Sequence, residues 1–136
     1  MNDEALRKLQ ELEKSLIDPD LVLPLFEQAP DATVVVETMT GNIVMVNRQA
    51  EFMFGYHRSE MIGNSIGMLM PEHVREAHGK HRVEYATNPR TRPMGIGLNL
   101  QGRNKAGLEF RVEINLSPVI TRHGSFTIAT VRRPNG

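Results

Sequence analysis

The sequence predicts an α+β domain in which several short helices cover one face of a single antiparallel sheet. Three observations lead there. Two β-branched runs, Ala32–Glu37 and Ile43–Val46, flank a Gly41-Asn42 break, as in a hairpin. Short helix-like segments follow, separated by Gly55, Gly63 and Pro71. The last third alternates apolar and polar residues over long runs, which marks strands with one buried and one solvated face. Two strands, a helical stretch and three more strands make one sheet with helices on one side, and a pocket between the two layers is expected.

Residues 3–17 carry Ala5, Leu9, Leu12 and Leu16 at alternating steps of four and three, the spacing of a coiled-coil seam, with Glu4 and Lys8 one turn apart. The pattern lasts about two heptads, so a helix packed on its own domain and a dimer-forming flank are both consistent with it. Asp18-Pro19-Asp20 ends it. Residues 21–28 form a second helical segment, and Ala29-Pro30-Asp31 turns into the first strand. Asn47 is placed to cap a helix over Arg48–Phe54 that Gly55 stops. Residues 58–62 form another short helix, ended by Gly63, and residues 66–70 a brief apolar segment. Pro71 and Glu72 suit the first turn of a longer helix running to about Tyr85, before Asn88-Pro89. On it Val74, His78, His81 and Tyr85 share a face. A strand over 94–100, a turn at Asn104-Lys105-Ala106-Gly107, a strand over 108–116, a turn at Arg122-His123-Gly124 and a strand over 126–131 complete the chain.

Composition narrows the function classes. The 136 residues hold 16 Lys plus Arg against 16 Asp plus Glu, and this balance argues against a nucleic-acid binder. There is no cysteine, which excludes disulfides, thiol catalysis, thiolate metal sites and any cofactor bonded through sulfur. No run is long and apolar enough to span a bilayer, and the acidic start lacks a signal-peptide core, so the cytoplasm is the expected compartment. Eight methionines and no tryptophan suit an adaptable core or an irregular apolar pocket. No Gly-rich phosphate loop, Ser-His-Asp layout or paired carboxylates point to catalysis, so the chain is not expected to be an enzyme.

The element order resembles the PAS family, and four local motifs add to it. They are Ala29-Pro30-Asp31-Ala32, Val46-Asn47-Arg48-Gln49-Ala50, Met53-Phe54-Gly55-Tyr56 with Glu60-Met61-Ile62-Gly63, and Gly102-Arg103-Asn104-Lys105-Ala106-Gly107. The resemblance covers roughly residues 25–133. It implies a PAS fold, with a five-stranded antiparallel sheet, short helices on one face, an N-terminal flanking helix and a ligand cavity under the helices. It divides the chain into a flanking dimer or signal helix, 1–20, and a sensory domain, 21–136. It further implies a homodimer through the N-terminal helix and the sheet, and an effector such as a histidine kinase or a cyclase-type output.

The run from Met68 to His78 is similar to the helix that supplies the proximal histidine in haem-PAS oxygen and gas sensors of the FixL-like kind, with His78 at the ligand position. A neutral imidazole suits haem iron. Met94-Gly95-Ile96-Gly97-Leu98 is similar to the distal strand of the same sensors, and its two glycines leave room for a flat group. The resemblance thus nominates His78 as axial ligand, with Met68, Tyr85, Arg92, Met94, Ile96 and Leu98 around haem. The sequence departs from the pattern at three places. Leu98 stands where those sensors place an arginine that hydrogen-bonds oxygen, so carbon monoxide, nitric oxide or redox sensing is expected over oxygen. Ile96 offers no sixth ligand. Glu84 replaces a basic position, leaving Arg92 as the candidate for a propionate. A core histidine with no haem, or an apolar ligand, fits the same residues. His81 reads as a rim residue, and His73 and His123 as solvated. A His73–His78–His81 metal site is weak, because His73 and His78 stand five apart on the helix. Two functions therefore follow, a ligand-sensing module with haem as the leading cofactor and a cofactor-free dimerisation or interaction module.

Overall fold

The computed structural model describes residues 3–16, 19–75, 92–94 and 100–134, with backbone alone at 12–16, 19 and 92–94. Two helices lead, α1 (Asp3–Leu16) and α2 (Pro19–Glu27). The hairpin β1 (Ala32–Glu37) and β2 (Ile43–Val46) follows, then α3 (Arg48–Phe54), α4 (Arg58–Met61) and a 3-10 turn at Ile66–Leu69. Helix resumes at 72–75, just after Pro71. The remainder of the predicted helix to Tyr85 lies outside the described residues.

Five strands form one antiparallel sheet in the order β2-β1-β7-β6-β3, where β3 is Arg92–Met94, β6 is Glu113–Thr121 and β7 is Gly124–Arg132. The first and last strands meet in register in the middle of the sheet, Val34 opposite Ala129 and Val36 opposite Thr127. A second, two-stranded ladder joins β4 (Gln101–Arg103) to β5 (Glu109–Arg111). The predicted strand over 108–116 is thus split. Val112 leaves the ladder between β5 and β6, is buried, and donates its N–H to Leu100 O at 3.0 Å. The strand then runs beyond the predicted end, through Pro118 to Thr121. Within it Pro118 stands opposite Thr127 of β7.

The core lies between the inner sheet face and the helical layer. Ala32, Val34 and Val36 of β1 point inward beside Val131, against Ala50 and Phe54 of α3 and Met61 of α4, all buried. Alternation along the strands places these residues on one face, and the 3.6-residue period of α3 delivers Ala50 and Phe54 to it. The outward partners include a Glu113–Arg132 pair at 3.2 Å, as a solvated face requires.

Candidate functional site

Asn47 anchors the helical layer to the sheet. It is fully buried, and its side chain serves two elements. Oδ1 accepts from Ala50 N at 3.1 Å, capping α3, and from Thr33 N at 2.9 Å, while Nδ2 donates to Asp31 O at 2.9 Å. Helix α3 ends at Gly55, whose φ of 74° is the left-handed geometry that favours glycine at a C-cap. The next helix begins with a reciprocal box. His57 Nδ1 accepts from Ser59 N at 3.1 Å, and Glu60 accepts from His57 N at 2.7 Å. His57 is an uncommon cap and the sequence reading passed over it. The acid three residues on was the available signal.

Two places on this frame can serve a ligand. The first is a set of apolar side chains at the core, called the wall below. Met68 and Leu69 of the 3-10 turn, Leu100 ahead of β4, and Ile114 of β6 belong to the core or pack on it, with Leu69 buried and the other three half-buried. Arg75 donates Nε to Gly67 O at 2.8 Å and ties the start of the next helix to that turn. The wall stops at the β4–β5 hairpin, where packing is dense. A Cβ added at Gly102 would lie 3.2 Å from both Phe110 and Phe54. Of the nominated cofactor residues, Met68 is placed on this wall. Arg92 and Met94 are described by backbone, in β3 beside Leu116 and Ile114. His78, Tyr85, Ile96 and Leu98 lie outside the described residues, as do His81 and Glu84. His73 and His123 are exposed. Among the described residues no group of three or more His, Cys, Asp or Glu is placed to hold a metal ion. These side chains are apolar, as the flat faces of a porphyrin require, while the nominated ligand His78 lies outside the described residues.

The second place is an outer groove of about 460 Å³ between α2, the edge strand β2 and α4, lined by Leu23, Phe26, Met45 and Ile62. Glu27 and Arg58 also line it. Arg58 Nη1 and Nη2 donate to the two oxygens of Glu27, the first at 3.0 Å. Nη2 also donates to Glu51 Oε1 at 2.7 Å, and the Arg58 N–H donates to Glu51 Oε2 at 3.0 Å. Hydrogen bonds from Arg58 hold the Glu51 carboxyl below the usual carboxylate range, and the two carboxylates push the Arg58 guanidinium further up. The sequence reading placed its pocket under the helices and did not foresee this one, because Glu27 and Arg58 stand 31 positions apart. No helix among the described residues is long and apolar enough to cross a membrane.

A family model described as PAS domain matches residues 30–132. The chain is 30% identical over 112 residues to the oxygen sensor protein DosP of Escherichia coli (strain K12), covering 82% of this chain and 14% of that protein. It is 31% identical over 87 residues to the sensor protein FixL of Bradyrhizobium diazoefficiens, covering 64% of this chain and 17% of that protein. It therefore spans a small part of the length of these curated relatives. The crystal structure of the PAS domain of an HTR-like protein from Haloarcula marismortui has the same fold, with a TM-score of 0.72 at 22% identity, covering 93% of this chain and 97% of that one. With a matching family model over most of its length and the sheet order β2-β1-β7-β6-β3 under a layer of short helices, the chain belongs to the PAS domain family.

Proposed function

We propose that the chain is a sensory rather than catalytic module that takes haem in its core through His78 and reports a gas or redox state to an effector. The observation that carries this reading is the 30% identity to an oxygen sensor protein over 82% of the chain. The apolar wall of Met68, Leu69, Leu100 and Ile114 supports it. When bound, haem would supply a redox-active iron able to bind a small gas. The chain's own part is to bind and to exclude water. His78 would hold the iron as a neutral imidazole, with Met68 and Tyr85 beside the ring and Arg92 for a propionate. Met94, Ile96 and Leu98 would contribute side chains without a hydrogen-bond donor to the haem site, which would disfavour oxygen relative to carbon monoxide or nitric oxide. The test is the visible spectrum of protein purified with haem available. A Soret band in the wild type that His78→Ala loses, with far-ultraviolet dichroism unchanged, is expected. A folded wild type without a band sinks the haem reading.

A specific observation favours a second reading, a cofactor-free dimerisation module regulating a partner such as a kinase or cyclase-type output. Leu6 and Leu9 of α1 are 48% and 45% exposed, an apolar stripe of the kind that pairs with a second helix. On either reading residues 1–20 form the flank and 21–136 the sensory domain. Leu9→Glu is expected to shift the protein from dimer to monomer in sedimentation without lowering its melting temperature. An unchanged mass would remove α1 from the interface.

A further inference from the structure

We infer that α2 is a hinged strap, held on the helical layer by the Glu27–Arg58–Glu51 clamp at its C-terminal end, and that release of the clamp uncovers an apolar face. The inference goes beyond the sensory reading and needs no cofactor. Helix α2 is apolar, yet Leu23 and Leu25 are 53% and 58% exposed. On its inner side the groove of about 460 Å³ separates it from β2 and α4. The groove opens to solvent, so apolar packing attaches α2 incompletely along that side. Pro24 lies inside the helix and removes one backbone donor.

The C-terminal end is different. Both oxygens of Glu27 meet the fork of Arg58, a paired geometry that is directional and stronger than a single contact. The same guanidinium holds Glu51 of α3, and the backbone N–H of Arg58 holds it too. This arrangement makes the clamp reversible. When Glu27 leaves, Arg58 keeps Glu51 as its partner. The side chain of Glu27 is already 30% exposed and rehydrates, so no charge is stranded in the interior. It also makes the clamp sensitive to its support. Arg58 opens α4 and Glu51 lies in α3, so a shift between those helices turns the guanidinium fork away from Glu27. Because α2 contacts α1, the shift is passed to the flank.

Native-state hydrogen exchange on the full chain tests the strap. Glu27→Gln removes one charge and keeps Glu51 on Arg58. The expected result is a loss of about tenfold in protection of the α2 amides, with β1 and β7 amides unchanged. An apolar dye such as ANS is expected to bind more strongly to Glu27→Gln, and not to Glu60→Gln, which breaks the separate Lys105 pair at 2.6 Å on the same layer. Unchanged α2 protection, an equal loss in β1 and β7, or α2 amides already unprotected in the wild type would each overturn the inference. All of these outcomes are read without haem, so they are separable from the fate of the haem reading.

Discussion

Asn47 concentrates more structural consequence than any other polar side chain described in the core. Its one amide caps α3, pins the first strand through Thr33 and holds the Asp31 carbonyl, all from a fully buried position. Removing it leaves the N–H groups of Thr33 and Ala50 without their acceptor where water has little access, while Asp31 O keeps only the Thr33 hydroxyl at 3.2 Å. Asn47→Ala should therefore cost about 3 kcal/mol, the sum of a lost cap and unsatisfied groups. The check is urea unfolding, where a midpoint shift under a third of that size would show that the site relaxes or admits water. The capping role is legible in the sequence, since Asn before a helical run is a strong local signal. The ties to Asp31 and Thr33 are not, because they span 16 and 14 positions and no spacing rule links a cap to a strand start. His57 illustrates the opposite case. Its signal is local, but imidazole is not among the residues a cap rule looks for.

At the scale of elements, the joint between α3, α4 and the β4–β5 hairpin decides how closely the helices approach the sheet. Lys105 N donates to Phe54 O at 2.8 Å and Lys105 Nζ meets Glu60 at 2.6 Å, so the hairpin turn is bolted to both helices. Phe54 and Phe110 pack with ring centroids 5.9 Å apart, and Gly102 fits between them without a side chain. Arg133 closes over Phe110 at 4.3 Å from the ring centre. A Cβ at Gly102 meets two rings at 3.2 Å, and neither is the loose end of a flexible chain. Gly102→Ala should cost about 1–2 kcal/mol as overpacking, read as a lowered melting temperature. A variant as stable as the wild type would mean that the rings slide apart freely. The same region explains the misread strand. Phe110, Val112 and Ile114 keep the inward parity through the break at Val112, so the alternation continues although the ladder does not. A period of two reports which side a residue faces and carries no information about which strand it pairs with.

For the whole molecule, the class of sheet and helices was legible because the late strands are written as alternation and most turns as Gly, Asn or Pro, whereas the order β2-β1-β7-β6-β3 was not. The clamp was not legible, because charges on three separate helices carry no period. That clamp has a consequence for acid stability. Glu51 has its carboxyl held below the ordinary value of 4.5, first by the Arg58 side chain and then by the Arg58 backbone N–H, against the opposing effect of burial. Glu60 is likewise held down, first by Lys105 and then by the His57 N–H. A carboxyl with a depressed folded value binds its proton more readily unfolded than folded. Its contribution is therefore fully present above about 4.5 and is lost as pH falls through the depressed value. Unfolding midpoints in urea, measured from pH 7 to pH 3, should fall for the wild type below that point. For Glu51→Gln the midpoint should start lower at pH 7, because Arg58 has lost a charged partner, and then decline less steeply on acidification, converging on the wild type at the acid end. Curves for the two proteins that run parallel through the whole range would mean that Arg58 does not act on Glu51 in solution. A Glu60→Gln curve that flattens in the same window, while keeping the slope that belongs to Glu51, would separate the clamp from the Lys105 pair and assign each its share of the acid transition.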